Sequence, residues 1–273
     1  MASAYLKKYS DAVLLFYDSE FGSPQSYFEN FGIDTNRVLH TPIANVEELK
    51  FDLVGQLEGL DRNDKVVIVI DSIGNLASKK ELDDAINEKS VADMSRAKAL
   101  KGLFRMTTPY LTMKNIPLIA VNHTYKEIGL FPKEIVGGGT GIYYSADNIW
   151  ILGRQQDKEG SEIKGYHFVI NVEKSRYVKE KSKIPISVSW DGGVQKWSGL
   201  LDVALEGKFV AKPSNGWYCQ VSQETGELLE PKVRAKQTLE ESFWTPVFKE
   251  GFGEYLKKRF SIGKARILES DAD

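Results

Sequence analysis

Residues 66–72, VVIVIDS, form the stretch that decides the fold class of this chain. The first five of these residues are apolar and β-branched and present no polar face, which is typical of a strand covered on both sides within a parallel α/β sheet. The run ends in Asp71, at the strand end where open α/β sheets bind ligands. An apolar strand that closes on Asp has the form of a Walker B motif, whose carboxylate holds the magnesium of a bound nucleotide. An ordinary buried strand followed by a turn fits this stretch equally well.

A second apolar run favours the ligand-binding interpretation. Residues 12–17, AVLLFY, also predict a buried strand, and the acids Asp18 and Glu20 follow its end. Two buried strands that deliver carboxylates to one sheet edge are hard to explain as core packing alone. A magnesium–nucleotide site needs one carboxylate for the metal and another to orient the attacking water. Asp71 and Glu20 fit those two roles.

The composition is that of a globular protein with one sizeable core, because 42% of the 273 residues are hydrophobic, 27% are charged and the formal net charge is −2. An isoelectric point near 6.1 excludes a surface coated in positive charge, so any nucleic-acid contact is expected in particular loops. The single Cys219 excludes an internal disulfide and, with three scattered histidines, a structural zinc site. The sequence shows no signal peptide and no membrane-spanning run, and we expect an intracellular protein with no membrane partner.

The first half of the chain predicts alternating helices and strands. Capping signals and apolar periodicity place helices at 2–9, 24–31, 45–60 and 91–113 and strands at 12–17, 38–40, 66–71 and 117–121. The polar stretch 75–89 predicts a mobile loop, and the glycine-rich end of 125–141 predicts a flexible segment. This order predicts an α/β fold with a mostly parallel central sheet flanked by helices.

The second half predicts a β-rich extension and then a change of character. Strands are expected at 147–152, 166–172 and 184–190, with a charged hairpin around Gly160. Beyond Trp197 we expect a small appended lobe, with helices near 200–206 and 239–260, the second kinked or interrupted by Pro246. The chain therefore predicts a core over residues 1–197 and a C-terminal lobe over residues 198–273.

Five motifs occur in an order that resembles a known family. They are FYDSEFG at 16–22, IDSIGNLASKKE at 70–81, NHTY at 122–125, GGGTG at 137–141 and VEKSR at 172–176. Together they resemble the ATPase core of the RecA superfamily, and within it the UvsX-type recombinases of phages. Any one motif is weak, but the match covers nearly the whole chain. The resemblance implies a RecA-like core with a small C-terminal lobe.

At matching positions the resemblance implies a site for ATP and Mg²⁺. Glu20 looks like the glutamate that activates the attacking water, and Asp71, with Ser72 beside it, looks like the Walker B acid that holds the metal. Tyr27 occupies the position at which this family stacks an aromatic ring on adenine. A tyrosine on a short amphipathic helix also fits core packing.

The resemblance also assigns the phosphate sensors. Asn122 and His123 match the start of the second DNA-binding loop, where His123 would sense the γ-phosphate and bacterial relatives more often carry Gln. Lys174 and Arg176 match a basic pair that reaches the neighbouring subunit's phosphates in the active filament. His123 also fits a satisfied core histidine, and the basic pair fits a solvated strand face.

Two segments match the loops that hold single-stranded DNA in this family, residues 75–89 and 124–141. The resemblance assigns DNA contact in the first segment to Lys79 and Lys80. In the second it assigns contact to Lys126, Phe131, Lys133, Gly137, Gly138 and Gly139. A plain hairpin is the other interpretation of the glycines.

One departure from the family concerns the P-loop, which has the form Gly-x-x-x-x-Gly-Lys-Ser/Thr and should precede the helix at 2–9. The 273 residues contain no such pattern and no strand before that helix. Met1 looks like an internal methionine of a longer ancestor. We therefore expect an N-terminally truncated chain that also lacks the filament-forming N-terminal segment.

Two functions fit the sequence. The first is an ATP-dependent recombinase that forms filaments on single-stranded DNA and drives pairing and strand exchange with duplex DNA in phage recombination and repair. Its expected partners are other copies of itself and phage single-strand-binding and mediator proteins, in the cytoplasm of the infected bacterium. The alternative is a non-catalytic remnant that binds DNA or caps a recombinase filament without hydrolysing ATP.

Overall fold

The structure is a computed structural model that describes residues 1–87, 94–128, 134–159, 162–190 and 193–263. The chain forms two compact units, Met1–Ala146 and Asp147–Asp273. The predicted division into a core over residues 1–197 and a lobe over residues 198–273 stays a prediction. Among the described residues, no helix is both long and apolar enough to cross a membrane.

A parallel sheet forms the centre of the first unit. Its strands are β1 (Val13–Asp18), β2 (Val38–Pro42), β3 (Val66–Asp71) and β4 (Leu118–Ala120), in the order β2-β1-β3-β4. All three strand pairs are parallel, which confirms the predicted α/β class. The register of β1 and β3 sets Asp18 opposite Asp71. Two acids thus meet at the carboxyl edge of the sheet, as the two apolar runs predict.

Helices cover both faces of this sheet. They are α1 (Ala2–Lys8), α2 (Gln25–Asn30), α3 (Val46–Gly59), α4 (Lys79–Ile86), α5 (Ser95–Lys114) and α6 (Thr140–Ser145). Alternate residues of β1 enter two separate cores: Leu15 packs with α3 and α5, whereas Leu14 packs with α1 and α2. Because both faces of β1 and β3 are buried, these two strands carry no polar face, which explains their unbroken apolar runs in the sequence.

The prediction of a mobile loop over 75–89 is wrong for residues 79–86, which form α4. Ser78 caps this helix: its hydroxyl accepts from the Glu81 backbone N–H at 3.2 Å, and its own N–H donates to the Glu81 carboxylate at 2.6 Å. The sequence carries this Ser-x-x-Glu signal, and the dense charges around it led to the loop assignment. The predicted helix at 91–113 begins at Ser95, and residues 88–93 lie outside the described part of the chain.

The predicted flexible segment at 125–141 also contains regular structure. Strand β5 (Thr124–Lys126) pairs antiparallel with β6 (Glu134–Val136), and α6 follows from Thr140. Gly138 and Gly139 adopt φ values of 86° and 83°, which favour glycine, so these residues shape the turn before α6. Phe131 and Lys133 lie outside the described residues.

The second unit begins with an antiparallel sheet. Its strands are β7 (Asn148–Glu159), β8 (Glu162–Ser175), β9 (Lys183–Ser189) and β10 (Gly193–Val194), in the order β10-β9-β8-β7. The three predicted strands are confirmed, and the first two are longer than the sequence indicated. Gly160, the expected centre of their hairpin, lies outside the described residues.

The C-terminal part of this unit contains a second sheet that the sequence analysis missed. After α7 (Leu200–Glu206), three antiparallel strands follow: β11 (Val210–Ser214), β12 (Trp217–Val221) and β13 (Leu228–Arg234). The expected helix at 239–260 is two helices, α8 (Glu241–Lys249) and α9 (Phe252–Phe260). The break lies at Gly251, whose φ of 93° favours glycine, and Pro246 sits inside α8. Placing the break at Pro246 was therefore wrong.

Candidate functional site

Asp18 at the end of β1 is a structural carboxylate. Its side chain is 1% exposed and accepts hydrogen bonds from the backbone N–H groups of Glu20, Phe21 and Ser23 at 3.0, 2.8 and 3.3 Å. The Nε2 atom of His40 lies 3.1 Å from its second oxygen. These contacts fold the chain sharply after β1, and the turn delivers Glu20 to the sheet edge. Asp18 is therefore a positioning residue that the sequence analysis left without a role.

Glu20 is held by two donors from the chain that follows β3. The Ser72 hydroxyl donates to one carboxylate oxygen at 2.7 Å, and the Asn75 amide donates to the other at 3.0 Å. Ser19 ties the same two turns together, because its hydroxyl donates to the Ser72 carbonyl at 2.6 Å and accepts from the Ser72 N–H at 3.0 Å. Each carboxylate oxygen keeps a further acceptor site, so Glu20 is oriented yet still able to accept a proton from water.

Asp71 has a different environment at the same edge. Burial raises the pKa of its carboxyl, the negative charges of Glu20 and Asp18 raise it further, and His123 acts in the opposite direction. Within the described ranges, no group donates a hydrogen bond to this carboxylate. A nearby cation would relieve the repulsion among the three acids, so the donor set fits a divalent metal.

The metal would need further oxygens from elsewhere. In the part of the chain that the structure describes, no three His, Cys, Asp or Glu side chains are grouped closely enough to hold an ion. Magnesium is commonly bound by one or two carboxylates together with phosphates and water. Asp71 therefore fits a magnesium ion that a nucleotide shares, and does not fit a metal site built from protein ligands alone.

Tyr27 lies close to these acids on α2. Burial raises the pKa of its hydroxyl, and the negative charge of Asp71 raises it further. Its ring contacts Phe28 and Phe31 edge-on, with centroid distances of 5.8 and 5.2 Å. The side chain is nevertheless exposed, so full core packing does not apply. Its predicted contact with adenine stays a prediction.

Asn122 and His123 follow β4 and fasten the next segment to the sheet edge. The Asn122 amide donates to the Gly137 carbonyl at 2.8 Å, and the Gly137 N–H donates to the His123 carbonyl at 3.0 Å. The His123 ring packs on Gly74, where a Cβ atom would lie 2.7 Å from the ring Cγ. The imidazole is exposed, which excludes a core histidine, and its phosphate-sensing role stays a prediction.

The first of the two segments predicted to bind DNA carries its lysines at an unusual place. Lys79 and Lys80 are the first two residues of α4, where the helix dipole disfavours positive charge. Lys80 forms an exposed ion pair with Asp84 at 3.2 Å, which offsets part of that cost. Both lysines are exposed, as is Lys126 on β5. Their positions leave the ammonium groups accessible to an external anion.

Exposed apolar side chains accompany these lysines and were missed in the sequence. Ile86 is 80% exposed, Met94 71%, Tyr125 56% and Ile128 fully exposed. Nucleic-acid bases stack on aromatic rings, and Tyr125 is the aromatic member of this group. In the sequence, apolar residues are mixed with charged ones in both segments. The sequence alone does not show which of these apolar side chains are exposed.

Lys174 and Arg176 lie in the second unit. Lys174 is half-buried on β8, opposite Ile149 of β7. Arg176 follows β8 and forms an ion pair with Asp147, with 3.0 Å between Nε and the carboxylate oxygen, although both side chains are more than half exposed. The predicted role of this basic pair at a neighbour's phosphates stays a prediction.

Two family models match the chain. The RecA N-terminal domain matches residues 3–195, and the C-terminal domain of the bacteriophage T4 recombination and repair protein matches residues 197–255. The recombination and repair protein of Enterobacteria phage T4 is 52% identical over 281 aligned residues, covering 100% of this chain and 72% of that protein.

Bacterial proteins are more distant. Protein RecA of Mycoplasma mycoides is 26% identical over 225 residues, which cover 79% of this chain and 61% of that protein. Protein RecA of Staphylococcus aureus strain JH9 is 24% identical over 264 residues, covering 95% of this chain and 72% of that protein. The matches to the first model and to the T4 protein extend over both halves of the chain.

Proposed function

The chain belongs to the RecA family of recombination and repair proteins, in the branch of the T4 protein, and on this premise we propose that it acts as an ATP-dependent recombinase. It would form filaments on single-stranded DNA and promote homologous pairing and strand exchange with duplex DNA. The observation that carries the proposal is the acidic sheet edge, where Ser72 and Asn75 orient the Glu20 carboxylate and the negative charges of Glu20 and Asp18 act on the carboxyl of Asp71.

Membership of the family implies nucleotide binding, and we propose ATP with Mg²⁺ as the nucleotide. The nucleotide would supply the phosphoryl group and the oxygens that complete the metal's coordination. Asp71 would hold the metal, and Tyr27 would support the base. Glu20 would orient a water molecule and accept its proton at a carboxylate oxygen.

DNA binding is proposed for the two segments that carry Lys79, Lys80 and Lys126. Lysines neutralise backbone phosphates, and the exposed ring of Tyr125 offers a stacking surface that tolerates any base sequence. The formal net charge of −2 makes local contacts of this kind more suitable than a general basic surface. Phage single-strand-binding and mediator proteins are the expected helpers, in the cytoplasm of an infected bacterium.

A DNA-binding test separates these segments from the rest of the surface. We would titrate labelled oligothymidine into the chain at several salt concentrations, with a K79Q/K80Q/K126Q variant and a charge-matched K7Q/K50Q/K249Q control. Each lost phosphate contact lowers the salt slope by about 0.7 for single strands, so the first variant should lose about 2 and bind weakly at physiological salt. Equal slopes for both variants would refute the assignment.

A second candidate function is a DNA-binding or filament-capping protein without hydrolysis. This function needs no Gly-x-x-x-x-Gly-Lys-Ser/Thr pattern, and the 273 residues contain none. The two candidates share the DNA segments and differ at the acidic edge. The test joins an upstream segment that carries a P-loop to the chain. Saturable binding of ATP with Mg²⁺ that Asp71→Asn abolishes in the joined protein supports the recombinase, whereas DNA binding without any nucleotide binding in that protein supports the second candidate.

A further inference from the structure

Arg96 binds three backbone carbonyls of one short loop. It is the second residue of α5, and its Nε donates to the Leu76 carbonyl at 2.7 Å. Its Nη2 donates to the carbonyls of Ile73 and Gly74 at 3.0 and 2.7 Å. The loop is residues 72–77, named here the β3 loop. A planar guanidinium with donors fixed in a fork suits this arrangement, and a lysine ammonium cannot reproduce it.

The β3 loop is also the wall of the candidate site. Its Asn75 amide donates to Glu20, and Gly74 packs against the ring of His123. The Ile73 N–H donates to the Val121 carbonyl at 2.9 Å, which ties the loop to the chain just after β4. A shift of the loop by a few tenths of an ångström would therefore move both the donor to Glu20 and the surface beside His123.

The start of α5 also contacts the cap of α4, which lies in the first segment predicted to bind DNA. Ser95, its neighbour in α5, lies with its hydroxyl 2.5 Å from the hydroxyl of Ser78, the residue that caps α4. Helix α4 carries Lys79 and Lys80. The start of α5 thus bonds both to the cap of the lysine-bearing helix and to the loop that orients Glu20.

We propose that Arg96 is a positioning residue that couples single-stranded DNA bound at Lys79 and Lys80 of α4 to the geometry of Glu20 and His123. The inference rests on the DNA-binding part of the proposed function. When DNA draws the start of α4 toward its phosphates, Ser78 and Ser95 carry the displacement to Arg96. The guanidinium then moves the β3 loop as one body, because it binds three carbonyls of that loop at once.

The test uses the Asn75 side-chain amide as a reporter, because that amide bonds directly to Glu20. Its ¹⁵N–¹H resonances would be assigned with an Asn75→Asp spectrum and followed as a thirty-nucleotide oligothymidine is added to the full chain. The variants are Arg96→Gln and, as a matched control, Arg105→Gln, which removes the same charge from an exposed position on the same helix. Arg96→Lys is the conservative variant.

In the unmodified chain and in Arg105→Gln, DNA should shift the Asn75 resonances. In Arg96→Gln the shift should be lost while DNA affinity stays within about threefold of the control, since both variants lose one charge. Arg96→Lys should restore only part of the shift.

Two results would overturn the proposal. A lower melting temperature in Arg96→Gln with an intact Asn75 response would make Arg96 a purely structural residue and leave the proposed function standing. Failure of the unmodified chain to bind oligothymidine would remove the DNA-binding function and the coupling together.

Discussion

The acidic edge of the first unit, at Glu20 and Asp71, and the basic strand end of the second unit, at Lys174 and Arg176, differ in what holds their side chains in place. Around Glu20, every orienting contact is internal: two side-chain donors, a buried Asp18 that shapes the turn, and a loop fixed by Arg96. Around Arg176 there is one exposed ion pair with Asp147. A site held by its own chain is preorganised, whereas an exposed charge takes its working geometry from a partner.

The largest expected effect tests whether the acidic edge is sufficient by itself. A polypeptide of these 273 residues should show no DNA-stimulated ATP hydrolysis, because the carboxylates of Asp71 and Glu20 would face the triphosphate and no P-loop pattern supplies amides or a lysine. Several missing charge-assisted hydrogen bonds, each worth about 1.5–3 kcal/mol, lower nucleotide affinity by many powers of ten.

The measurement is phosphate release with and without oligothymidine, and Glu20→Gln is the control for contaminating ATPases. Turnover that depends on DNA and disappears in Glu20→Gln would show that another part of this chain cradles the phosphates. It would also mean that Glu20 and Asp71 can act on ATP without the phosphate contacts that a P-loop supplies.

The next effect tests whether the acidic edge is preorganised through Asp18. Four groups point at the Asp18 carboxylate, and three of them are backbone N–H donors. Asp18→Asn would place an amide donor among them, where a hydrogen-bond acceptor is needed. We expect a loss of about 2–4 kcal/mol in the free energy of unfolding, measured by urea denaturation. Asp11→Asn, at an exposed position, should change it by less than about 0.5 kcal/mol. Equal effects of the two changes would contradict the structural role of Asp18.

A third change tests the contact between the β3 loop and His123. Gly74→Ala would place a Cβ atom 2.7 Å from the His123 ring, and overpacking of this kind costs about 1–3 kcal/mol. Gly55→Ala in the middle of α3, where nothing lies within 4 Å of the new Cβ, should instead stabilise the protein by about 0.5–1 kcal/mol.

Combining Gly74→Ala with His123→Ala should recover part of the loss, because the ring atoms that clash are removed. Strictly additive losses in this double-mutant cycle would show that the clash lies with the backbone of residue 123 and not with its ring.

The sequence was sufficient for the features that local patterns encode. The apolar runs at 12–17 and 66–71 predicted β1 and β3 because burial on both faces removes polar residues from a strand. The acids at the ends of these runs then predicted that carboxylates meet at one edge of the sheet. The guanidinium of Arg96, by contrast, binds carbonyls of the β3 loop that lie 20, 22 and 23 positions earlier, and no local pattern encodes which backbone groups a side chain will meet.

The misses have specific causes. Helix α4 was not predicted, because charged residues are common both in solvated loops and on exposed helices. Its capping box at Ser78 was nevertheless present in the sequence. The break at Gly251 depends on a positive φ, whereas Pro246 is the more visible helix breaker. The ion pair of Arg176 depends on the register of β7 and β8, which sequence periodicity does not fix.

A smaller effect concerns the repulsion at the acidic edge. Because the pKa of Asp71 is raised in the folded state, its ionisation costs stability as the pH rises above the ordinary carboxyl value. Asp71→Asn should therefore increase the free energy of unfolding at pH 7 by up to about 1 kcal/mol after solvent screening, measured by urea denaturation. The gain should vanish below about pH 3, where the carboxyl is protonated in both states. A gain that persists at low pH would show that charge is not its cause.

The smallest expected effect on stability falls at the basic strand end. Arg176→Gln removes an exposed ion pair, and pairs of this kind contribute about 0–1 kcal/mol, so urea denaturation should show little change. The same substitution should weaken cooperative assembly on long single-stranded DNA, if the guanidinium leaves Asp147 to meet a neighbour's phosphates. Assembly is measured by sedimentation of the protein with polythymidine, and Asp147→Asn, which frees Arg176, should strengthen it. A stability loss well above 1 kcal/mol, with unchanged assembly in both variants, would reverse the comparison by making Arg176 a structural residue of its own unit.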